Sequence, residues 1–593
     1  MKISLQRLIP GENTRMIAIA TFIGLTAGAL NLLFRSTVSL VHRLIFDGGS
    51  TFFGIEKGGL HLIFLPLIPI AGMVLLIPLS LLFPGEVNGY GFTKFLRKVN
   101  LEGGVIRART IILKILSTAL TIGTGNSAGV EGPIAQIGGA MGSQVGQLFR
   151  VSGNRMKVYI AAGCAGGIAG MFNAPLAGIF FASEIVLLGT YEISSFAALV
   201  VASALSTVVT RAYYGENPAF SIPSYHMVNA YVEIPLYMVM AVIIGALAVL
   251  NTRIFYFIRD KYAGFHLHPQ VKPIAGALLV GFIGIGFPQV MGDHYDFIQD
   301  VLHGGGVPWV LFALSFLKIL ATSVTLGSGG SGGVFAPALF IGAMIGASYG
   351  SIVHGLFPTM TADPGAYATV AIGAFLAASI HAPMTAIFLL FEMTGDYRII
   401  VPIMLTSIIG TMVAKKILSD SIDTVDFTRE GINIHEGREV TIMKSLRVGA
   451  AMTEDIDFIS EMANINQLLE IFSMAKRGFY FPVVDDSGKM TGIVSMQDVK
   501  NLLHREKEDR VCYLVGAICN RNVIMLTPDD TLFTAMELFH LKDIEEIPVV
   551  EDLENRWVVG MLKRRDVITA YNHEALKKGI SEQAESIRII CGE

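Results

Sequence analysis

The chain has 593 residues, 52% of them hydrophobic and 63 of them glycine, with a mean hydropathy of +0.58. Its net charge of −4 is too small to imply a nucleic-acid partner, and no basic cluster argues for one. Charge is unevenly spread: 42 Asp, Glu, Lys and Arg fall in residues 1–420 and 50 in 421–593, so the first part reads as a membrane domain and the second as a soluble one.

A short polar head with Lys2, Arg7 and Arg15 precedes the first apolar run, near 16–33. No small-residue cleavage site closes that run, so it is expected to be an uncleaved first span with the N-terminus inside. Further apolar segments lie near 61–83, 108–122, 156–188, 193–210, 232–258, 272–288, 308–326, 333–357, 367–392 and 400–417. Several are broken by Gly or Pro, or fall short of the roughly 20 residues that span a bilayer. Broken helices at membrane depth survive only where they are buried or line a wet cavity. Lys415 and Lys416 mark an expected cytoplasmic helix end, and residues 421–445 read as a linker. Two α/β repeats follow, at 446–505 and 511–575, each a helical stretch and then strand, turn, strand and helix start, with a tail at 576–593. Of the four cysteines, Cys164 lies in an apolar run, while Cys512, Cys519 and Cys591 have no metal spacing and suit a reducing cytoplasm.

Two stretches of the apolar part read almost as copies. Gly123, Gly125, Ser127, Gly129, Val130 and Pro133 align with Gly327, Gly329, Ser331, Gly333, Val334 and Pro337, 204 residues later. Each copy is a Gly-rich break that offers free backbone N–H groups ahead of a helix start, a recipe for holding an anion. The copies differ at one telling place, where Glu131 of the first meets Phe335 of the second. The repeat continues with Pro175 and Glu184 against Pro383 and Glu392. Paired broken segments in two halves point to a transport site, and inverted halves would bring both loops to the midplane.

The stretches Gly129-Val-Glu-Gly-Pro133, Phe172-Asn-Ala-Pro-Leu-Ala-Gly178 and Gly333-Val-Phe-Ala-Pro337 resemble the CLC family of chloride channels and proton–chloride antiporters. The tail resembles a tandem of cystathionine-β-synthase (CBS) domains. The resemblance implies an all-α polytopic membrane domain over 1–420, built of two inverted, pseudo-symmetric halves with broken helices, followed by a cytoplasmic α/β CBS pair. It also implies a homodimer in a cell inner membrane, one anion pathway per subunit, chloride as the carried ion, and no required cofactor. Glu131 would be the gate and proton carrier: a carboxylate at a helix start competes with chloride for the same donors, and protonation weakens its hold. The alternative for Glu131 is a plain helix-capping role. Gly129, Val130, Gly132, Val334, Phe335 and Ala336 would surround the anion with main-chain donors, unless these glycines only permit tight helix packing.

Three positions depart from the family pattern. Its first loop usually carries a Ser hydroxyl on the anion; here Tyr90 stands there, able to coordinate, to block the mouth or to turn away. Its late Tyr, which donates to the anion, falls at Asp423, a residue that could gate, carry protons or be a solvated linker Asp, unless Thr424 faces the path instead. The proton-accepting Glu of many antiporters is replaced by Ile185, as is usual in channel members although some antiporters also lack the Glu; this favours channel-like or weakly coupled transport, with proton–chloride exchange as the alternative. Lys114 and Lys318, at matching positions, either raise the potential along the pathway or snorkel from helix ends. Glu184 and Glu392 read as structural.

In the CBS pair, Ser495 and Asp498 resemble the family's ribose-binding pattern. Thr527, Asp529, Lys563 and Asp566 could complete a site for ATP or AMP; a purely dimerising role is the alternative. Two rival functions fail on composition. A magnesium transporter would need intramembrane carboxylate clusters, and 61–83 and 333–362 carry none; an intramembrane enzyme would need a nucleophile or metal set, and no His-x-x-x-His pair is present.

Overall fold

The computed structural model describes residues 12–151, 153–189, 193–216, 218, 220–434, 437–474, 480–500 and 513–574. Lys2, Arg7, Cys512, Cys591, the ends of both expected CBS segments and the tail from 576 lie outside the described residues. The chain divides into two units, Met1–Ile432 and Asn433–Glu593. Residues 421–432, expected as linker, therefore belong to the first unit: Ser421, Ile422, Asp423, Thr424, Val425 and Phe427 are all buried in it.

The first unit is helical and doubled. Its first half runs α1 (Glu12–Val41), α2 (Leu67–Leu82), α3 (Phe92–Asn100), α4 (Arg109–Ile122), α5 (Glu131–Leu148), α6 (Gly153–Phe172), α7 (Pro175–Phe181) and α8 (Ile193–Tyr214). The second repeats the order as α9 (Ala230–Gly264), α10 (Val271–Gly286), α11 (Tyr295–Leu302), α12 (Pro308–Ser328), α13 (Phe335–Leu356), α14 (Pro364–Ile380), α15 (Pro383–Thr394) and α16 (Ile400–Ile417). Among the described residues, seven helical stretches are long and apolar enough to cross a membrane, α8, α9, α12 and α13 included; α10, α14 and α15 are apolar but shorter. The sequence explains the short ones. Pro175, Pro364 and Pro383 each open a helix, where a missing N–H costs nothing, and so fix its start.

Small residues let these helices meet backbone to backbone. A Cβ placed on Gly138 would sit 2.1 Å from the Gly163 carbonyl oxygen, and one on Gly163 would sit 2.0 Å from that of Gly138. The second half repeats the contact more loosely, with Gly342 against the Ala371 carbonyl at 2.8 Å. Without a hydrophobic force between helices in lipid, such close approach supplies the association.

Glu184 and Glu392 hold the halves together reciprocally. Glu184 accepts from the Met384 and Thr385 N–H groups and the Thr385 hydroxyl at the start of α15. Glu392 accepts from the Leu176 and Ala177 N–H groups at the start of α7. Each carboxylate caps the other half's helix, where the dipole favours it.

The second unit holds two small sheets. In the first, β1 (Ile459–Ser460) runs parallel to β2 (Tyr480–Val484), which pairs antiparallel with β3 (Met490–Ser495). In the second, β4 (Glu546–Val550) pairs antiparallel with β5 (Val558–Lys563). The register shifts at the same point of each repeat, between Val483 and Val484 and between Val549 and Val550. Each sheet has its own apolar core, around Val483 and Leu468 in one and Val549 and Phe539 in the other.

Candidate functional site

The two Gly-rich loops meet at the centre of the first unit. The Gly129 N–H donates to the Gly333 carbonyl at 2.8 Å, and the Gly333 N–H donates back to Gly129 at 2.7 Å. The hydroxyls of Ser127 and Thr322 bond at 3.0 Å, and their counterparts Ser331 and Thr118 lie 3.3 Å apart. This exchange is antiparallel and reciprocal, as inverted halves require. It also corrects one expectation. The N–H of Gly129 is spent on the partner loop and is not a free anion donor.

The helix starts supply the free donors instead. Val130 and Val334 are the N-cap residues of α5 and α13, and neither has a capping side chain. Pro133 and Pro337 stand third in those helices and carry no N–H. The orphan groups of each first turn are thereby concentrated in one or two residues.

A small cavity of about 20 Å³ lies beside them, lined by Tyr90, Phe92, Gly132, Phe181, Ile185, Val334, Phe335, Ile380 and Asp423. That volume admits one water-sized occupant. The main-chain N–H groups of Gly132, Val334 and Phe335 have no hydrogen-bond partner among the described residues. A buried donor without a partner is costly, so this geometry suits an anion. Phe335 is fixed by Phe172 and Phe181, with ring centroids 5.5 and 6.3 Å away. Val130 and Ala336 do not line the cavity.

Ala336 has a different role. Its N–H donates to Glu131 Oε2 at 3.1 Å, and the Tyr295 hydroxyl donates to Oε1. Glu131 is fully buried, so its carboxylate already sits where the first turn of α13 would take an anion. That geometry goes beyond a capping role on its own helix, since the donors come from the other half.

On the cavity's other side the Tyr90 hydroxyl donates to Asp423 Oδ1. Asp423 is 3% exposed, which removes the reading of a solvated linker Asp. Thr424 faces away: its hydroxyl accepts from the Ser421 N–H at 3.0 Å and closes a local turn. Ile185 lines the cavity from a π-helical turn, Ala182–Val186, a distortion often found at functional sites.

Beyond Tyr90 a wider vestibule opens, lined among others by Thr93, Lys94, Arg97, Lys98, Arg259, Asp426 and Glu430. Arg259 forks onto Asp426 with two bonds of 2.7 Å, and Arg97 pairs with Glu430. Neither intramembrane lysine snorkels. Lys114 is 5% exposed, and its Nζ lies so near Gly91 that a Cβ there would meet it at 2.6 Å. Lys318 is fully buried and donates to the Val290 and Gly292 carbonyls at 3.0 and 2.7 Å.

Sequence reasoning missed Tyr295. Its signal was the repeat itself: Phe92 and Tyr295 open the matching short helices α3 and α11, 203 residues apart. Phe92, Phe181 and Ile380 were missed as cavity walls for want of any motif.

In the second unit the expected nucleotide residues are engaged with protein groups, and only Ser495 and Asp498 with each other. The Ser495 N–H and hydroxyl both donate to Asp498 Oδ2 at 2.7 Å. The Thr527 N–H and hydroxyl donate to Asp530 at 2.6 and 3.0 Å. Lys563 pairs with Glu546 at 3.5 Å, Asp566 with its neighbour Arg565 at 3.6 Å, and the Asp529 carbonyl accepts from Arg447.

The paired broken helices, the facing Gly-rich loops and the buried Glu131 held across them define an anion-transport protein of the membrane-embedded, inverted-repeat class, and the chain belongs to the CLC family. The model of the voltage gated chloride channel family matches residues 67–415, and the CBS domain model matches 448–505 and 515–573. The chain is 30% identical over 536 residues to chloride channel protein CLC-f of Arabidopsis thaliana, covering 78% of this chain and 67% of that protein. It is 30% identical over 339 residues to the H(+)/Cl(-) exchange transporter ClcA of Vibrio campbellii, covering 56% and 72%. Among solved structures, a slow cyanobacterial Cl-/H+ antiporter superposes with a TM-score of 0.63 at 25% identity, covering 70% of this chain and 98% of that one. The protein is thus a multi-pass membrane anion transporter of the CLC family with a tandem CBS unit, and not an enzyme.

Proposed function

We propose that this protein carries chloride through one pathway per subunit, with Glu131 as the proton-sensitive gate. The observation that carries the reading is the position of the Glu131 carboxylate on the Ala336 N–H, beside a cavity whose Gly132, Val334 and Phe335 amides are unpartnered. Carboxylate and chloride compete for the donors of one helix start; a proton on Glu131 weakens its hold and opens the path. Ile185, in place of an acid, supports channel-like or weakly coupled transport. The likeness to an exchange transporter and to a Cl-/H+ antiporter supports the second reading, proton–chloride exchange.

Chloride flux from liposomes holding the full chain tests both. A reversal potential set by the chloride gradient alone assigns passive transport, and one that moves with a pH gradient assigns exchange. The variant Glu131→Gln mimics the protonated gate; it should raise flux at neutral pH and remove the gate's share of the pH response. Potassium-selective flux would overturn the anion assignment.

The vestibule and the chain's exit at Ile432 share one face, since Asp426 and Glu430 line the vestibule. The N-terminus and the CBS unit are proposed to be cytoplasmic, in a cell inner membrane. A homodimer is the expected assembly, checked by mass in detergent. ATP and AMP are the ligands to titrate against the CBS unit. A rise in its unfolding temperature assigns a nucleotide site, and no rise assigns the pair a structural role.

A further inference from the structure

Two buried carboxylates near the cavity are held by the same device, a tyrosine hydroxyl. Towards α11 the Tyr295 hydroxyl donates to Glu131, and towards the vestibule the Tyr90 hydroxyl donates to Asp423. Tyr90 lines both cavity and vestibule, so the Tyr90–Asp423 pair forms part of the partition between them. The partition is rigidly held. The Ile422 N–H donates to the Ser379 carbonyl at the end of α14, the Tyr256 hydroxyl of α9 donates to the Ile422 carbonyl at 2.9 Å, and the Tyr90 ring meets Phe255 edge to face at 5.7 Å. The segment around Asp423 is therefore part of the core and not a free loop end.

Among the described residues no cation forms an ion pair with Asp423. The nearby titratable and charged groups are Tyr90 from the loop before α3, Tyr256 from α9 with its hydroxyl on Ile422, the Arg259–Asp426 ion pair, in which the guanidinium is already committed, Arg429, which stacks on the Tyr256 ring and pairs with Asp260, and Lys114, buried beside Gly91 and bonded to neither Tyr90 nor Asp423. A buried, unpaired carboxylate beside an anion cavity is doubly costly: it is poorly solvated, and it repels the occupant. A proton relieves both costs.

Resting on the chloride reading above, we propose that Tyr90 and Asp423 form a second, proton-operated gate between the vestibule and the anion cavity. A proton from vestibule water adds to the Asp423 carboxylate, the neutral acid no longer repels the anion or holds Tyr90 as a charged acceptor, and the anion enters. The proton returns to vestibule water when the gate recloses, and no heavy-atom bond changes. Phenol and acceptor stand on opposite sides of one bond although they are 333 residues apart in the chain, so the two residues act as a pair.

The experiment uses the full chain in liposomes and reads chloride efflux between pH 4.5 and 8.5. In Glu131→Gln, where the first gate is already neutral, efflux should still rise as pH falls, by up to about ten-fold per pH unit, the limit for one proton. Adding Asp423→Asn should flatten that rise and bring efflux at high pH up to the low-pH level. Adding Tyr90→Phe instead should leave a rise but raise efflux several-fold at a given pH, because the carboxylate loses its donor. Efflux from Glu131→Gln that is already flat, or an unchanged rise after Asp423→Asn, would overturn the second gate while leaving the chloride reading intact. No chloride efflux from Glu131→Gln at any pH would overturn the chloride reading itself. If Asp423→Asn does not give a monodisperse protein, Tyr90→Phe decides: a profile superimposed on that of Glu131→Gln overturns the proposal.

Discussion

Single side chains set the states of the site. Tyr295 holds the buried Glu131 carboxylate in place from the start of α11. Tyr295→Phe should shorten the time Glu131 spends on the Ala336 N–H and raise chloride flux several-fold at a given pH, with anion selectivity unchanged. Equal flux in variant and wild type would remove Tyr295 from the gate. Glu184 and Glu392 show the opposite use of a carboxylate. Each accepts N–H groups from a helix start in the other half, and each lies off the cavity. Glu392→Ala should cost about 1 kcal/mol of stability, the usual value of a helix cap, seen as a lower unfolding temperature in detergent with the pH profile of flux retained. In the CBS unit, Asp485 is held below its ordinary range by the Ser487 hydroxyl and by the Lys489 and Ser487 N–H groups. A depressed folded value means stabilisation that is present above the unfolded value and lost as pH falls through the folded one. Asp485→Asn should therefore remove part of the acid sensitivity of that unit below about pH 4, read by thermal unfolding of the full chain across pH.

At the scale of elements, glycine decides where helices touch. Gly138 of α5 and Gly163 of α6 abut so closely that Gly138→Ala must push the helices apart. The expected loss is about 1–3 kcal/mol, the range for overpacking, together with disturbed flux, because α5 carries Glu131 at its start. Gly355, near the end of α13, is the control: a Cβ there meets nothing within 4 Å. Gly355→Ala should be neutral or stabilise by up to about 1 kcal/mol through helix propensity. Unfolding temperatures of the two variants side by side check the contrast. The short helices α3 and α11 carry the site from two sides, and their residues were the least legible elements in the sequence. Each is about two turns long, too short for a clear periodic pattern, and its role comes from what its first residue reaches across space.

At the scale of the molecule, what the chain itself determined is the doubling and the backbone chemistry. The 204-residue spacing of the loops, the Pro-opened short helices, the match of Glu184 to Glu392 and the change in charge density near residue 420 are all local properties, and they were enough to give two repeated halves, the paired Gly-rich breaks and a separate α/β unit, while the inversion of the halves came only with the family resemblance. Only the tertiary structure decided which donors remain free. The Gly129 N–H looked available until Gly333 was found on it, and Ala336 turned out to hold Glu131 and not the cavity. It also placed Asp423 and Tyr90 on one bond, 333 residues apart in the chain, and drew residues 421–432 into the membrane unit. The physical reason is common to all of these. A repeat or a helix start is written in neighbouring residues, whereas a hydrogen bond between halves depends on which groups the closed fold brings within about 3 Å, and no local pattern records that distance.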